Sequence, residues 1–408
     1  MPHDRLNAAL RAHVDDLTST GTAKGAETVV VGVIPAAGPR GPRVLLAGQG
    51  GREFIRMNSN SYLGMGLRPV VIRAEEEATR AFGAGPGAVR FISGTYQAHV
   101  DLERELAGFH GREAAMILSS AYATVLSTIT PMVSDETVLI SDALNHNCII
   151  NAMRLARPAG KAIYAHNDVS GLDRALLEWK GRAKRALVVT DGIFSMRGDH
   201  APLDEIMETC LRHDGDYEEN VVCIVDDSHG VGAFGATGRG TEEYTGSRPV
   251  DVLVGTLGKA FGVNGGYVTA DGDTIRFLRE SSQMYIYSNP ITVGEAAAAL
   301  AAVRLVAGAE GGALLQRLRS LTSRFEGGLR RLDIETIPGE HPVVPLMIRD
   351  TTRTRELVRY LYDNGVLVTG LTYPVVPRGD EEIRAQVNAD HTEDDIDLVL
   401  ELLGAFED

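Results

Sequence analysis

Cysteine is scarce: the three in 408 residues, Cys148, Cys210 and Cys223, lie far apart with no CxxC spacing. That leaves no basis for a disulfide framework or a thiolate zinc site, so no metal is expected and all three read as free thiols. Positive charge is also short. With 40 Lys and Arg against 55 Asp and Glu the net charge is -15, and a nucleic-acid partner, which needs clustered cations, is not expected. An anionic ligand must be held locally, by a few aimed donors. Long apolar runs are missing as well. None reaches the roughly 20 residues that cross a bilayer, and the opening MPHDRLNAALRAHVDDL lacks the charged-then-apolar layout of a secretory signal. The expectation is a cytoplasmic protein without a membrane partner.

What is present belongs to an ordinary globular chain, with 44% hydrophobic and 23% charged residues. Its length exceeds what one compact core usually holds, so a large domain with a smaller appended one is expected. From about residue 114, short β-branched runs (AAMIL, TVLIS, AIYA, ALVVT, VVCIV, DVLVG, GGYVT) alternate with amphipathic stretches such as HVDLERELAGFH, SGLDRALLEW and LDEIMETCLRH. This alternation predicts βα units and an α/β fold with a mainly parallel sheet. Near residue 290 the character changes to an alanine-rich helix and then to short strands (VVPLMI, GVLVTG, EIRAQV) between helices. We therefore expect a large domain over 56–290, a small α+β domain over 291–408, and residues 1–55 packing with the small domain.

Open parallel sheets bind ligands beyond the carboxyl ends of their strands, which directs attention to the polar residues after each run. VVCIV ends in Asp226, Asp227, Ser228 and His229; DVLVG leads to Thr256 and Lys259; ALVVT ends in Asp191 with Ser195 following; TVLIS ends in Asp142 before His146. Lys259 sits in GTLGKAFG, where glycines permit close backbone approach to a ligand and the lysine is an amine nucleophile. By itself this string more often describes an exposed loop lysine, and it lacks the spacing of a Walker A loop. Asp226, at the end of a strongly apolar strand, is costly to bury without a cation or several donors. A protonated pyridine nitrogen is one such cation; an arginine or a helix cap would also serve.

The set reads differently as a whole. The order and wording of GAGPGAVRFISGT, LEREL, FHGREAAMILSSAYAT, SDALNHNCII, TDGIFSMRGD, VDDSHGVGAFGATGRG, GTLGKAFG and YSNP resemble the α-oxoamine synthases. These are fold-type I pyridoxal-phosphate (PLP) enzymes that include glycine C-acetyltransferase (2-amino-3-ketobutyrate CoA ligase), 8-amino-7-oxononanoate synthase, 5-aminolevulinate synthase and serine palmitoyltransferase. The resemblance spans roughly residues 55 to 395 and implies a seven-stranded large-domain sheet and a homodimer with its active site at the subunit interface. It implies an acyltransferase that condenses an amino acid with an acyl thioester of CoA or a carrier protein, usually with decarboxylation. It also implies roles: Lys259 as Schiff-base lysine and α-proton base, Asp226 on the pyridinium nitrogen, His229 on the phenolic oxygen, and His146 stacked on the ring. Ser195 would lie near the ring substituents, and Thr256, Ser120, Ala121 and Tyr122 would bind phosphate, with Ser288 and Asn289 contributed to the other subunit's site. Arg384 would hold the substrate carboxylate and Asn60 would line the substrate side. VRFISGT, GTLGKAFG and TYPVVPRG lean toward glycine C-acetyltransferase; Thr372 and Tyr373 stand where oxononanoate synthases usually carry an arginine ahead of a proline pair. GAGPGAV, Val263-Asn264 and Ile291-Thr292 depart from the family pattern, which leaves the substrate pair open. Another fold-type I reaction, transamination or aldol cleavage, is the main alternative, 8-amino-7-oxononanoate synthase is the alternative within the family, and a silent binding homologue is the non-enzymatic one.

Overall fold

The computed structural model describes residues 3–407 except 21 and 374, so Pro374 of TYPVVPRG lies outside the described residues. Three strands come first, β1 (Val30–Ile34), β2 (Arg43–Leu46) and β3 (Glu53–Arg56). The seven predicted runs then form β4 (Ala114–Leu118), β5 (Thr137–Asp142), β6 (Gly160–Tyr164), β7 (Arg185–Asp191), β8 (Val221–Asp226), β9 (Val252–Thr256) and β10 (Gly266–Ala270). They make one sheet in the order β4-β10-β9-β8-β7-β5-β6. All neighbours are parallel except β10, which runs against both β4 and β9.

Alternate side chains of these strands enter two separate apolar clusters. Leu139, Leu187, Ile224 and Val254 face one, with the helices Ala121–Met132 and Asn147–Leu155. Ile140, Val188, Val225 and Leu253 face the other, with Val169–Trp179 and Leu203–His213. Covered on both faces, the strands read as continuous apolar runs, the signature of a parallel sheet inside helical layers. Because β5, β7, β8 and β9 run the same way, their ends gather Asp142, Asp191, Asp226 and Thr256 along one edge, with Asp191 directly opposite Asp226.

Beyond the helices Val293–Ala307 and Ala309–Arg331, strands β11 (Val343–Met347), β12 (Val366–Leu367), β13 (Thr369–Leu371) and β14 (Glu382–Gln386) follow. GVLVTG, read as one strand, is divided at Val368. Its first half, β12, pairs in parallel with β3, and its second half, β13, joins the antiparallel sheet β11-β14-β13. Residues 40–57 are tied to the C-terminal part by that pairing and by the buried Arg43–Asp395 ion pair at 2.5 Å. The first helix, Asp4–Ser19, takes no part in such packing, since none of its residues is buried.

The helix Val293–Ala307 packs chiefly on Pro69–Phe82 and Gln97–Phe109. By packing it goes with the large domain, although its position after residue 290 put it in the small one. Its buried Ala296, Ala298, Ala299 and Ala302 permit close helix approach. At Gly294 a Cβ would stand 2.5 Å from Thr79 Oγ1, so the contact has no room for a side chain.

Candidate active site

Beyond the strand ends lies a cavity of about 340 Å³, open mouth included, lined by Lys259, Asp226, His229, His146, Ser195, Ala121 and Tyr122. Seven of the thirteen sequence-predicted site residues thus converge on it. A cavity of about 970 Å³ behind the Lys259 loop, lined by Arg56, Ser61 and Asp390 among others, holds none of the strand-end groups.

Lys259 follows β9 on a loop pinned by Gly258 N donating to Thr256 Oγ1 (3.2 Å) and by Gly262 N donating to Lys259 O (3.0 Å). Gly262 adopts φ +70°, and a Cβ there would stand 2.2 Å from Gly66 N, so this turn requires glycine. Burial lowers the Lys259 amine to about 8, against the pull of Asp226 and Asp191. Roughly a quarter of such amines are neutral at pH 7.5, against about one in a thousand at the ordinary value. A neutral amine is the nucleophilic form.

Asp226 is buried and accepts at Oδ1 from Ser228 N (3.1 Å) and Ser228 Oγ (2.5 Å), and at Oδ2 from Cys148 Sγ (3.4 Å). It has donors but no ion-pair partner among the described residues, which suits a carboxylate awaiting a cationic ring nitrogen. The adjacent Asp227 turns away to accept from Thr241 N and Oγ1, both at 2.7 Å.

His146 caps the helix Asn147–Leu155, its ring Nδ1 accepting from Cys148 N at 3.2 Å while its backbone N–H donates to Asp191 Oδ2 at 2.9 Å. Burial and Lys259 lower its pKa although Asp226 raises it. The ring is therefore neutral with its proton on Nε2. His229 is held further below the ordinary range, by burial first and then by the cations Lys259 and Arg384. Its Nδ1 lies 2.7 Å from the Tyr62 hydroxyl.

The helix Ala121–Met132 points its N-terminus into the cavity through Ala121 and Tyr122, and Ser120 caps it by accepting from Ala123 N at 3.1 Å. Free N–H groups at a helix start suit a phosphate. At Gly266 a Cβ would stand 2.4 Å from Ala121 N, which shows how closely this helix start is set on β10. Ser120 and Thr256 adjoin lining residues without lining the cavity themselves, and the Thr256 hydroxyl already donates to Gly265 O at 3.2 Å. Arg384, on β14, donates from Nε to Ser195 O (2.6 Å) and from Nη2 to Asn60 Oδ1 (3.2 Å). Arg384, Asn60 and Ser195 therefore stand together at one side. Ser288 and Asn289 are exposed, outside this cavity.

Cys148, Asp191, Ser228 and Ile193 also line the cavity, and the sequence reading gave them no role. Asp191 and Ser228 were visible as strand-end polar residues. Cys148 was not; the structure sets its Sγ 2.9 Å from His146 Nδ1 and 3.4 Å from Asp226 Oδ2. Burial and the neighbouring Asp226 raise the Asp191 carboxyl well above the usual range.

A parallel sheet closed by one antiparallel strand, with a lysine, an aspartate and two histidines at its edge, defines a PLP-binding enzyme of the large aminotransferase-like class. The chain belongs to the family described as aminotransferase class I and II, whose profile matches residues 52–403. It is similar to the 8-amino-7-oxononanoate synthase of Thermosipho melanesiensis, 35% identical over 86% of this chain and 88% of that one. The enzyme of that name from Symbiobacterium thermophilum is 38% identical over 90% of each chain. Among solved structures it resembles serine palmitoyltransferase from S. paucimobilis carrying bound PLP–myriocin, with a TM-score of 0.86, 26% identity, and coverage of 99% of this chain and 97% of that one. Within the family, then, the chain is a PLP-dependent α-oxoamine synthase.

Proposed function

We propose that this chain joins a small amino acid to an acyl group delivered as a CoA or carrier-protein thioester, at the cavity around Lys259, with loss of the thiol and decarboxylation. The observation that carries the reading is a buried, cation-lacking Asp226 converging with Lys259, its amine lowered to about 8, beside the Arg384 fork. PLP supplies an electron sink for charge developing at the α-carbon. Lys259 Nζ would hold it covalently, and the amine would also serve as acceptor for the α-proton. Asp226 would keep the ring nitrogen protonated, and the helix start at Ala121 and Tyr122 would receive the phosphate. Arg384 has no ion-pair partner among the described residues, so its planar cation is available to the substrate carboxylate. His146 Nε2–H is a donor for the thioester carbonyl oxygen as it gains charge.

The exposed Ser288 and Asn289, with Phe91, Ile92 and Tyr287 exposed by 68%, 67% and 78%, support a homodimer in which those two residues complete the other subunit's site. A second reading, 8-amino-7-oxononanoate synthase, is favoured by the named relatives. Its product's skeleton calls for alanine and a dicarboxylic acyl thioester instead of glycine and an acetyl group. Glycine, alanine and serine crossed with short, long and dicarboxylic acyl thioesters, read by thiol release, decide between them. Amino-group transfer to 2-oxo acids without thiol release from any pair would overturn the synthase reading.

A further inference from the structure

Tyr62 belongs to none of the roles above, yet it is completely buried between two groups that have them. On one side its hydroxyl meets the Arg384 guanidinium. On the other it lies 2.7 Å from His229 Nδ1, while its alternative acceptor, Asn60 Oδ1, is at 3.3 Å. A phenol has one proton, and the guanidinium has only donors. With the Arg384 cation beside it offering no acceptor, the phenolic proton goes to the shorter of its two acceptors, His229 Nδ1.

The surroundings hold this arrangement. His341, itself fully buried, donates from Nε2 to His229 O at 3.0 Å and accepts at Nδ1 from Val343 N at 3.2 Å, which fixes the backbone of His229. The ring of His341 also sets its edge against Tyr62, 5.3 Å between centroids. Among the described residues no hydrogen bond reaches His229 Nε2, and His229 lines the cavity with Lys259 and Asp226.

We propose that Tyr62 is a positioning residue: its hydroxyl holds His229 in the Nε2–H tautomer, so a donor faces the cavity, and links that donor to the Arg384 carboxylate site. The inference rests on PLP binding at this cavity for its consequence, though not for the tautomer itself. A donor there would stabilise an anionic ring oxygen, and the Arg384 charge, once a carboxylate binds it, would bear less on the Tyr62 hydroxyl.

The test has two arms. In cofactor-free protein with nitrogen-labelled histidine, NMR should show His229 Nδ1 unprotonated and Nε2 protonated, a bias of roughly tenfold for one hydrogen bond. In Tyr62→Phe the two nitrogens should approach parity. In the holoenzyme at fixed pH, Tyr62→Phe should shift bound-PLP absorbance from the visible to the near-ultraviolet band. Its kcat should fall about fivefold to tenfold with the amino-acid KM changed by less than about twofold. A wild-type His229 protonated at Nδ1 overturns the inference even if the variant fails to fold, and so does a folded variant with tautomer and absorbance unchanged. A wild type with the expected tautomer that forms no visible band with PLP instead overturns the cofactor placement.

Discussion

Lys259 stands where its own charge opposes folding. Burial brings its amine from 10.5 to about 8, against the attraction of Asp226 and Asp191. At pH 7 the amine is charged both folded and unfolded, so the folded state bears the whole difference. At 1.36 kcal/mol per pH unit that is at most roughly 3 kcal/mol, and the side chain's partial opening to the cleft reduces the expectation to about 2 kcal/mol. Lys259→Met keeps the apolar stem and removes the charge, so the cofactor-free variant should be the more stable by about 2 kcal/mol at pH 7. The direction with pH follows from proton counts. Between about pH 8 and 10.5 the unfolded chain holds more protons than the folded one, so wild-type stability rises across that window. The variant's advantage therefore shrinks from about pH 8 and vanishes above about 10.5. Urea unfolding of both cofactor-free proteins at pH 7 and pH 9.5, followed by circular dichroism, measures the two gaps. A variant no more stable than wild type at pH 7, or one whose advantage widens with pH, would refute a charged amine in a desolvated cleft. Adding PLP should reverse the order, because only the wild type gains covalent attachment to the folded state.

Arg384→Lys keeps the charge and loses the planar fork, so kcat/KM for the amino acid should fall about 10-fold to 100-fold, mostly through KM, while the bound-cofactor spectrum stays as in wild type. A KM within about twofold of wild type would remove Arg384 from the carboxylate site. His166, at the far end of the same sheet edge, has its pKa lowered by burial but raised more by hydrogen bonds to Asp142 (3.2 Å) and Asp199 (3.1 Å), to about 9. Its contribution of about 1–2 kcal/mol is fully present below about pH 6.5 and is lost as pH rises through about 9. The stability gap between wild type and His166→Gln should accordingly narrow over that window, and a gap independent of pH would show that the imidazole carries no such charge.

The sheet was legible because its strands other than the edge strand β6 are buried on both faces, which leaves unbroken apolar runs in the sequence, and the polar residues that end β5, β7, β8 and β9 mark the edge where ligands bind. Asp226, His229, Lys259 and His146 were found in that way, by position after a run and by order. Tyr62 could not be. It is an apolar-looking tyrosine in NSNSYLG, distant in sequence from both His229 and Arg384, and only the folding of β14 against the end of β7 brings those two to its hydroxyl. Cys148 escaped for a related reason: a free thiol in an apolar stretch looks like core until the helix start turns it toward Asp226 Oδ2. The division of GVLVTG between two sheets and the packing of Val293–Ala307 with the large domain escaped too, since both depend on which surface a segment meets. The directly charged groups of the site announce themselves through the cost of burying them at a strand end. The neutral groups that orient them have no such cost to reveal, and it is among those that the structure adds most to the chemistry.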